Sequence, residues 1–488
     1  MPTSRGNWPM EPVVERAAML ARAESGRSKL AQNNRYAFIG AAAAVTGVVA
    51  AIASIPDNPQ PSGALFWSAL WCSLGLLMVP VLRTSTDTSV LLRTEHFLML
   101  GLFYWLLLDP LQGAYPLEGV TYDDVALALT AIGIMALGIW IGSGGRGWSL
   151  PGLVVRAAKQ PLGSNSLFAA AIVAFCLGMF NFAFTSGFDP AVMINGLSAC
   201  RFCAPWSRGA FGGAAAFAEH LKYFGYVLPS LTVMVAQQSG WGRMKTVVLA
   251  VMSAIMIVFL AQEGGRRVIG VMVGAALITW MLFQNRIRPR VVIGAIVIVG
   301  SLLFGMEEML RYRSAGFSDT NLGRSSEEEI TRLHVDDNFL RLSQIVNLFP
   351  DVQPYANLQP LLFALARPIP RVLWEGKPSD PGYDFTALVG ESGLTLSHTI
   401  VGELYAMRGL LAVMIGGLIF GRLANMWNKL LFMAGGAARP MTYGLGVMVL
   451  FAALRSMQDL VVMSYGLLGW FMIAWFLSQV RSARAVPR

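Results

Sequence analysis

The sequence predicts an all-α, polytopic integral membrane protein with about twelve transmembrane helices and one large periplasmic loop. Hydrophobic residues make up 55% of the 488 residues, and the mean hydropathy is +0.55. Charged residues make up only 13%, whereas soluble domains carry roughly 25%. Apolar runs of the roughly 20 residues that cross a bilayer recur along the chain. These three observations exclude a soluble globular protein.

Twelve apolar runs meet the length of a membrane span. They lie at residues 36–54, 64–82, 97–113, 124–142, 166–186, 214–235, 245–262, 267–284, 290–306, 409–427, 440–457 and 461–480. They predict five regions: a cytoplasmic N-terminal segment (1–35), spans one to nine (36–306), a periplasmic loop (307–408), spans ten to twelve (409–480) and a cytoplasmic tail (481–488).

The basic residues predict the orientation of these spans. Arginine and lysine concentrate in alternate connections, which the positive-inside rule assigns to the cytoplasm. The intervening loops 55–63 and 114–123 contain neither residue, so we expect them on the outer side. The net charge of +9 therefore indicates orientation rather than nucleic-acid binding. The polar, basic first 35 residues predict no cleavable signal peptide, and residues 10–33 fit an interfacial helix or a disordered tail.

The connection 307–408 is far longer than the other connections between spans. Loops of this length usually have a function. Its stretch SSEEEITRLHVDDNFLRLSQIVNLF (325–349) has a helical pattern, with Ser325 or Ser326 as the predicted N-cap. Within the spans, the pairs Gly270/Gly274 and Gly417/Gly421 have the spacing that lets helices approach closely.

Arginines on the predicted outer side are the first candidates for chemistry. Arg266 and Arg267 lie between spans seven and eight, and Arg455 lies at the outer end of span eleven. The planar guanidinium group binds phosphate oxygens in pairs, which suits an anionic headgroup. The alternative is an ordinary ion pair, such as Arg455 with Asp459 one helical turn later. Arg266 and Arg267 have no evident local partner except Glu263.

Span six contains a second group of ionisable residues. Glu219, His220 and Lys222 lie in its outer half, where the bilayer makes charge costly. The group is either functional or a mutually satisfied trio packed between helices.

The predicted outer loop contains two histidines, His334 and His398, and Asp336 and Asp337 follow the first of them. A neutral imidazole or a carboxylate at this position can serve as a general base for a hydroxyl group. A lone histidine in a loop is more often structural, so this alternative stays open for each.

Several motifs are absent from the sequence. There is no His-x-x-x-His, no paired Cys-x-x-Cys and no cluster of aspartates that favours a catalytic metal. The single Cys200-x-x-Cys203 indicates a disulfide or two buried thiols. Nucleotide-binding Gly-x-x-x-x-Gly-Lys-Ser/Thr and the hydrolase motif Gly-x-Ser-x-Gly are also missing. We therefore expect neither a metal nor a cofactor.

Two stretches resemble the bacterial Wzy-type oligosaccharide repeat-unit polymerases: RPIPRVLWEGKPSDPGYDF (367–385) and SHTIVGELYAMRGLLAVMIGGLIFG (397–421). The shared elements are Pro370-Arg371-x-Leu373-Trp374-x-x-Lys377-Pro378 and Gly402-Glu403-x-Tyr405-x-x-x-Gly409. Where such proteins often have a polar-aromatic pair before the glycine, this chain has Met407-Arg408. The remaining likeness is architectural: a dozen spans, a large late loop and outer arginines.

The resemblance implies a GT-C-like glycosyltransferase of the bacterial inner membrane with both termini cytoplasmic and a periplasmic active site. Such an enzyme is inverting and metal-independent. It transfers a growing glycan from polyprenyl diphosphate onto the non-reducing end of the next lipid-linked repeat unit. The implied partners are the lipid-linked donor and acceptor, membrane lipid, a chain-length-regulating copolymerase and a flippase.

The resemblance also assigns roles to the candidate residues. The residues implied to hold the pyrophosphate are Arg266, Arg267, Arg371, Arg408, Arg455 and Lys377. The candidates for the general base, in order, are His398, His334, Glu403 and Asp337.

Two other functions remain open. An O-antigen ligase uses the same donor chemistry but another acceptor, and only the Pro-Arg-x-Leu-Trp stretch favours a polymerase over it. A flippase or transporter of lipid-linked oligosaccharides should have polar residues along a path between both faces. In this chain, the unusual charges are confined to the predicted outer side.

Overall fold

The computed structural model describes residues 33–86, 88–145, 147–200, 203–207, 214–262, 266–284, 287–312, 333, 335–369, 373–391 and 396–485. Every regular element in these ranges is a helix, as the sequence predicts. The first ten are α1 (Asn33–Ala53), α2 (Phe66–Thr86), α3 (Thr94–Leu102), α4 (Leu108–Gln112), α5 (Tyr122–Ser143), α6 (Gly152–Ala158), α7 (Ser164–Thr185), α8 (Pro190–Ser198), α9 (Ala214–Leu221) and α10 (Leu228–Ser239). The others are α11 (Met244–Gln262), α12 (Arg266–Leu282), α13 (Pro289–Tyr312), α14 (Asn338–Leu348), α15 (Gln359–Ala366), α16 (Phe385–Leu388), α17 (Ile400–Asn428), α18 (Arg439–Ala453) and α19 (Met457–Ala485).

Eight helices in the described part of the chain are long and apolar enough to cross a membrane, which makes this a polytopic membrane protein. They are Asn33–Ala53, Phe66–Ser85, Tyr122–Ser143, Ser164–Thr185, Met244–Gln262, Arg290–Glu307, Ile400–Asn428 and Met457–Val480. The other four predicted spans fall on helical segments of a different kind. A π-helical turn (Phe103–Leu107) separates α3 from α4, a 3₁₀ turn (Lys222–Val227) separates α9 from α10, and α12 and α18 have only 17 and 15 residues. The number twelve therefore stays a prediction.

The buried side chains form two large clusters on either side of α18. One is built from α1 to α5, α14 and α17, and Trp140 is its largest fully buried side chain. The other is built from α6, α7, α10 to α12 and α19, and it includes the fully buried Trp470. Residues of α18 belong to both clusters, so this short helix joins the two halves of the core.

The closest helix crossing lies between α5 and α17 and depends on glycine. A Cβ atom at Gly417 would lie 2.6 Å from the Met135 carbonyl oxygen, and one at Gly421 would lie 2.2 Å from that of Ile139. Backbone therefore touches backbone here, which confirms the prediction for this pair. For the other pair the prediction holds only in part, because Gly274 packs on the side chain of Met448 and Gly270 faces open space.

A break divides α17 near its beginning. Arg408 and Gly409 have non-helical torsion angles, and the φ of Gly409 is +62°. The Tyr355 hydroxyl lies against this glycine, and the Ala356 N–H donates to the Ala406 carbonyl at 2.9 Å. The predicted loop boundary at 408 coincides with this break, and the first part of the helix, from Ile400, belongs to the end of the predicted loop.

The predicted loop contains the helices α14, α15 and α16. We call the side of the molecule that carries them, residues 335–369, 373–391 and 396–399, the loop end. α14 buries Phe339, Leu342 and Ile345 against α5 and α17. Its N-cap position is Asp337, whereas the predicted caps Ser325 and Ser326 lie outside the described residues.

We predict that Gly421→Ala destabilises the protein, because the new methyl group meets backbone that cannot move aside. Overpacking of this kind costs about 1–3 kcal/mol. Thermal unfolding in detergent measures the loss, with Gly270→Ala as the matched control. Since a Cβ atom at Gly270 meets nothing within 4 Å, the control should stay within about 0.5 kcal/mol of wild type. Equal melting temperatures for the two variants would refute the role of the crossing.

Candidate functional site

A cluster of charged side chains lies at the loop end, where three segments of the chain meet. The segments are the first turn of α12, the turn from α18 into α19, and residues 335–337 before α14. Arg266 and Arg267 come from the first segment, Arg455 and Asp459 from the second, and Asp336 from the third. We call these five residues the arginine cluster.

Asp459 connects the two helical parts of the arginine cluster. Its carboxylate accepts from Nη1 of Arg267 at 2.5 and 2.7 Å, although 192 residues separate the two in sequence. The same carboxylate accepts from Nη1 of Arg455 at 3.0 Å. This second contact confirms the local pairing that the sequence suggested for Arg455. Asp459 itself is almost completely buried.

Arg455 is enclosed by carboxylates on two sides. Its Nε donates to Oδ2 of Asp336 at 2.7 Å, in addition to the contact with Asp459. The backbone of Asp336 is held by Asp109, because the N–H groups of Val335 and Asp336 each donate to the Asp109 carboxylate at 3.2 Å. Only 15% of the Arg455 side chain is exposed. This arginine is therefore fixed in position.

Arg267 is more open than Arg455, since 39% of its side chain is exposed. Among the residues that the structure describes, only its Nη1 makes hydrogen bonds. The neighbouring Arg266 places Nη2 3.4 Å from the carbonyl oxygen of Val335. The two arginines therefore contact different segments, Arg267 the beginning of α19 and Arg266 the backbone before α14.

Glu403 fixes the turn that carries Arg455. Its Oε2 accepts from the N–H of Met457, the first residue of α19, at 2.6 Å. One turn earlier on α17, the Ile400 N–H donates to the Leu454 carbonyl at 3.1 Å. Glu403 is buried, and it satisfies a donor that the beginning of a helix otherwise leaves unpaired. Its observed contact is thus structural.

His398 lies just before α17, in a partly aromatic environment. Its ring centroid is 5.0 Å from that of Phe385 and 5.6 Å from that of Tyr383. Burial, followed by the positive charge of Arg455, lowers the pKa of His398 to about 4. The imidazole is therefore neutral at physiological pH.

The remaining candidates lie at the edge of the cluster or apart from it. Asp337 pairs with Arg341 at 2.5 Å, and Arg341 also contacts Glu391. Nζ of Lys377 donates to the carbonyl oxygens of Arg367 and Ile369. Asp337 therefore belongs to a separate ion pair, and Lys377 is connected to the edge of the cluster only through Arg367. Arg408 lies at the break in α17, with its Nη1 3.5 Å from the side-chain oxygen of Asn357. Arg371 and His334 lie outside the described residues.

Three features of the site were missed from the sequence. On α4, Gln112 binds the backbone of Leu333, and Asp109 accepts from the N–H groups of Val335 and Asp336. Arg367 donates through Nη1 to the side-chain oxygen of Gln458, next to Asp459. Of these residues, only Asp109 could have been recognised in the sequence as a candidate for the site. It is a lone carboxylate near the end of an otherwise apolar predicted span.

The other groups singled out in the sequence lie apart from the arginine cluster. In the span-six group, Lys222 pairs with Glu219 at 3.2 Å, and the His220 ring packs near Tyr223 and Tyr465. Cys200 and Cys203 form a disulfide, one of the two predicted alternatives. Next to the disulfide, Nε1 of Trp206 donates to Oε1 of Gln262 at 2.6 Å. Nε2 of Gln262 donates to the Cys200 carbonyl oxygen.

We predict that Asp459→Asn destabilises the protein, because it removes the shared partner of two arginines. Breaking a buried ion pair by removing one side costs about 3–5 kcal/mol. Thermal unfolding in detergent should show a lower melting temperature than for Asp351→Asn, a control at an exposed carboxylate. A loss no larger than that of the control would contradict the bridging role.

We predict that His398 makes stability depend on pH between about 6.5 and 4. The unfolded chain takes up a proton in this range and the folded chain does not, so stability falls as the pH falls. The expected slope approaches about 1.4 kcal/mol per pH unit. His398→Gln should show a flatter dependence of melting temperature on pH, and parallel curves for variant and wild type would rule out this contribution.

Comparison with known proteins does not assign the chain to a group. No protein-family model, no curated protein and no solved structure matches it.

Proposed function

We propose that this protein is an oligosaccharide repeat-unit polymerase of the Wzy type. It transfers a glycan from polyprenyl diphosphate onto the non-reducing end of another lipid-linked repeat unit, at the periplasmic face of a bacterial inner membrane. The observation that carries the proposal is the arginine cluster, in which three guanidinium groups face two carboxylates at one end of a membrane protein.

The cluster suits a diphosphate in charge and in geometry. Arg267 uses one nitrogen for Asp459, and the rest of its planar fork is available for two phosphate oxygens. Arg266 is the first residue of α12, so both arginines lie at the positive end of a helix dipole, where the first N–H groups favour an anion. The diphosphate would therefore bind over the beginning of α12.

Arg455 has a different role from Arg267 in this proposal. Asp336 and Asp459 occupy its Nε and Nη1 and fix the guanidinium before any ligand arrives. A charge fixed in advance stabilises negative charge that develops in the transition state without a cost of reorganisation. Arg455 thus acts through its field on the leaving diphosphate, whereas Arg266 and Arg267 bind it.

The reaction is a single displacement at the anomeric carbon. The acceptor hydroxyl oxygen forms a bond to that carbon, the bond to the diphosphate oxygen breaks, and the diphosphate leaves with the electron pair. A base takes the hydroxyl proton. Inversion of configuration follows from attack on the face opposite the leaving group.

His398 is the best supported base among the described candidates. Glu403 is engaged by the Met457 N–H, and Asp337 is paired with Arg341. A base with a pKa of about 4 is a weak proton acceptor, but part of that lowering comes from Arg455. Bound diphosphate would offset this positive charge and raise the pKa of His398, so the base would become stronger when the donor is in place.

We predict that Arg266→Ala lowers the yield of long polymer by about 100-fold, the size of effect seen when a transition-state donor is removed. Single repeat units should still reach the periplasm, because the variant affects transfer and not delivery. The measurement is the size distribution of surface polysaccharide in cells whose own copy is deleted. Arg243→Ala removes an equal charge from an exposed position between α10 and α11 and serves as the control.

The outcomes of this experiment separate the alternatives. Polymer of normal length in Arg266→Ala, at matched protein level, would argue against the diphosphate role. In the deletion strain, single units on the carrier indicate a polymerase. Long carrier-linked chains without their final acceptor indicate a ligase, and units retained on the cytoplasmic face indicate a flippase.

A further inference from the structure

The predicted loop contains a helix whose apolar stripe points away from the protein. In and around α15, large apolar residues recur at the spacing of one helix face. They are Leu358, Leu361, Leu362, Leu365 and Ile369, with exposed fractions between 37% and 60%. A loop helix surrounded by water would turn such a stripe inward.

The opposite face of α15 is the one that contacts the protein. Pro360, Ala364 and Ala366 are buried there, and the helix packs against α19 and α17. These small side chains let α15 lie close to the two spans. In the packing of the described residues, the large side chains are therefore left on the outer face of α15.

A side-chain contact fixes the height of α15 relative to the membrane spans. Arg367 directly follows the helix and donates through Nη1 to Gln458. Gln458 is the second residue of the span Met457–Val480. The C-terminal end of α15 therefore lies beside the beginning of the apolar run of α19.

The residues around the stripe suit the headgroup region of a lipid leaflet. Leu373 and Trp374 are exposed beside it, at 71% and 42%, and tryptophan is enriched where membranes meet water. Lys377 is held against the carbonyl oxygens of Arg367 and Ile369, which places cations at the edge of the apolar surface. Long basic side chains at this depth reach lipid phosphates.

The two helices that α15 contacts also expose apolar side chains. On α19, Leu468 and Met472 are about half exposed, and on α17 so are Leu411 and Ile415. Both helices are long and apolar enough to span a membrane, and α15 lies against both of them. The stripe thus belongs to a helix that packs on two spans with exposed apolar side chains of their own.

We propose that α15 is an interfacial membrane anchor whose leucine stripe inserts into the phospholipid leaflet on the loop side. Insertion removes the stripe from water, and the flanking cations bind lipid phosphate. Through Arg367 and Gln458, the anchor holds the arginine cluster at the depth of the lipid headgroups. This inference does not depend on the proposed reaction.

The test measures the surroundings of α15 in the full-length protein reconstituted into phospholipid vesicles. Leu362→Cys and Leu365→Cys are each introduced into a Cys176→Ser background, since Cys72 is buried and Cys200 is bonded to Cys203. Each cysteine carries a nitroxide label, and electron paramagnetic resonance reports collisions with oxygen, which concentrates in lipid, and with a water-soluble nickel chelate. Asp351→Cys labels an exposed position in the same loop as the aqueous control.

We expect both leucine positions to show high accessibility to oxygen and low accessibility to the nickel chelate, with the ratio reversed at the control. High accessibility to the chelate at Leu362 and Leu365 would place the stripe in water and overturn the proposal. Low accessibility to both reagents would show that a second copy or another protein covers the stripe, which would overturn it equally.

Discussion

The loop end depends on one carboxylate, that of Asp459, which binds two arginines from different parts of the chain. Without it, Arg267 and Arg455 would be two like charges close together in a poorly solvated place. With it, the beginning of α12 and the turn before α19 form a single unit. The burial of the Asp459 carboxylate is tolerable because it pairs with both arginines.

The carboxylates around the cluster set how much positive charge it presents. Asp336 reaches Arg455 only because Asp109, on α4, holds the backbone before α14. That backbone segment is therefore shaped by the first half of the core, while the arginines belong to the second half. The site lies where the two halves meet, and α18, which joins them, leads directly into Arg455.

The sequence allowed the helical fold to be predicted far better than the site. Apolar runs locate helices because burial in lipid and in the core leaves a signal along the chain, and the Gly417/Gly421 spacing located a close crossing.

Local periodicity also suggested the pair Arg455 and Asp459, four residues apart. It carried no information on Arg267 and Asp459, whose contact arises from the packing of α12 against α18 and the turn that follows. The sequence placed a boundary at the break in α17, but it did not show that helix continues on both sides of Gly409. The exposed stripe of α15 was found only in the structure, because spacing along the chain does not show which way a helix face points.

The disulfide between Cys200 and Cys203 closes a very short ring, so it restricts the unfolded chain far less than a long-range crosslink does. Its position bears on the orientation of the chain instead. The Cys200 carbonyl accepts from Gln262, at the end of α11, only a few residues before Arg266. Thiols oxidise on the exported side of a membrane and stay reduced in the cytosol. In the orientation that the sequence predicts, the two sulfurs lie on the outer side and would form this bond, whereas in a chain inserted the other way round the two thiols would stay reduced.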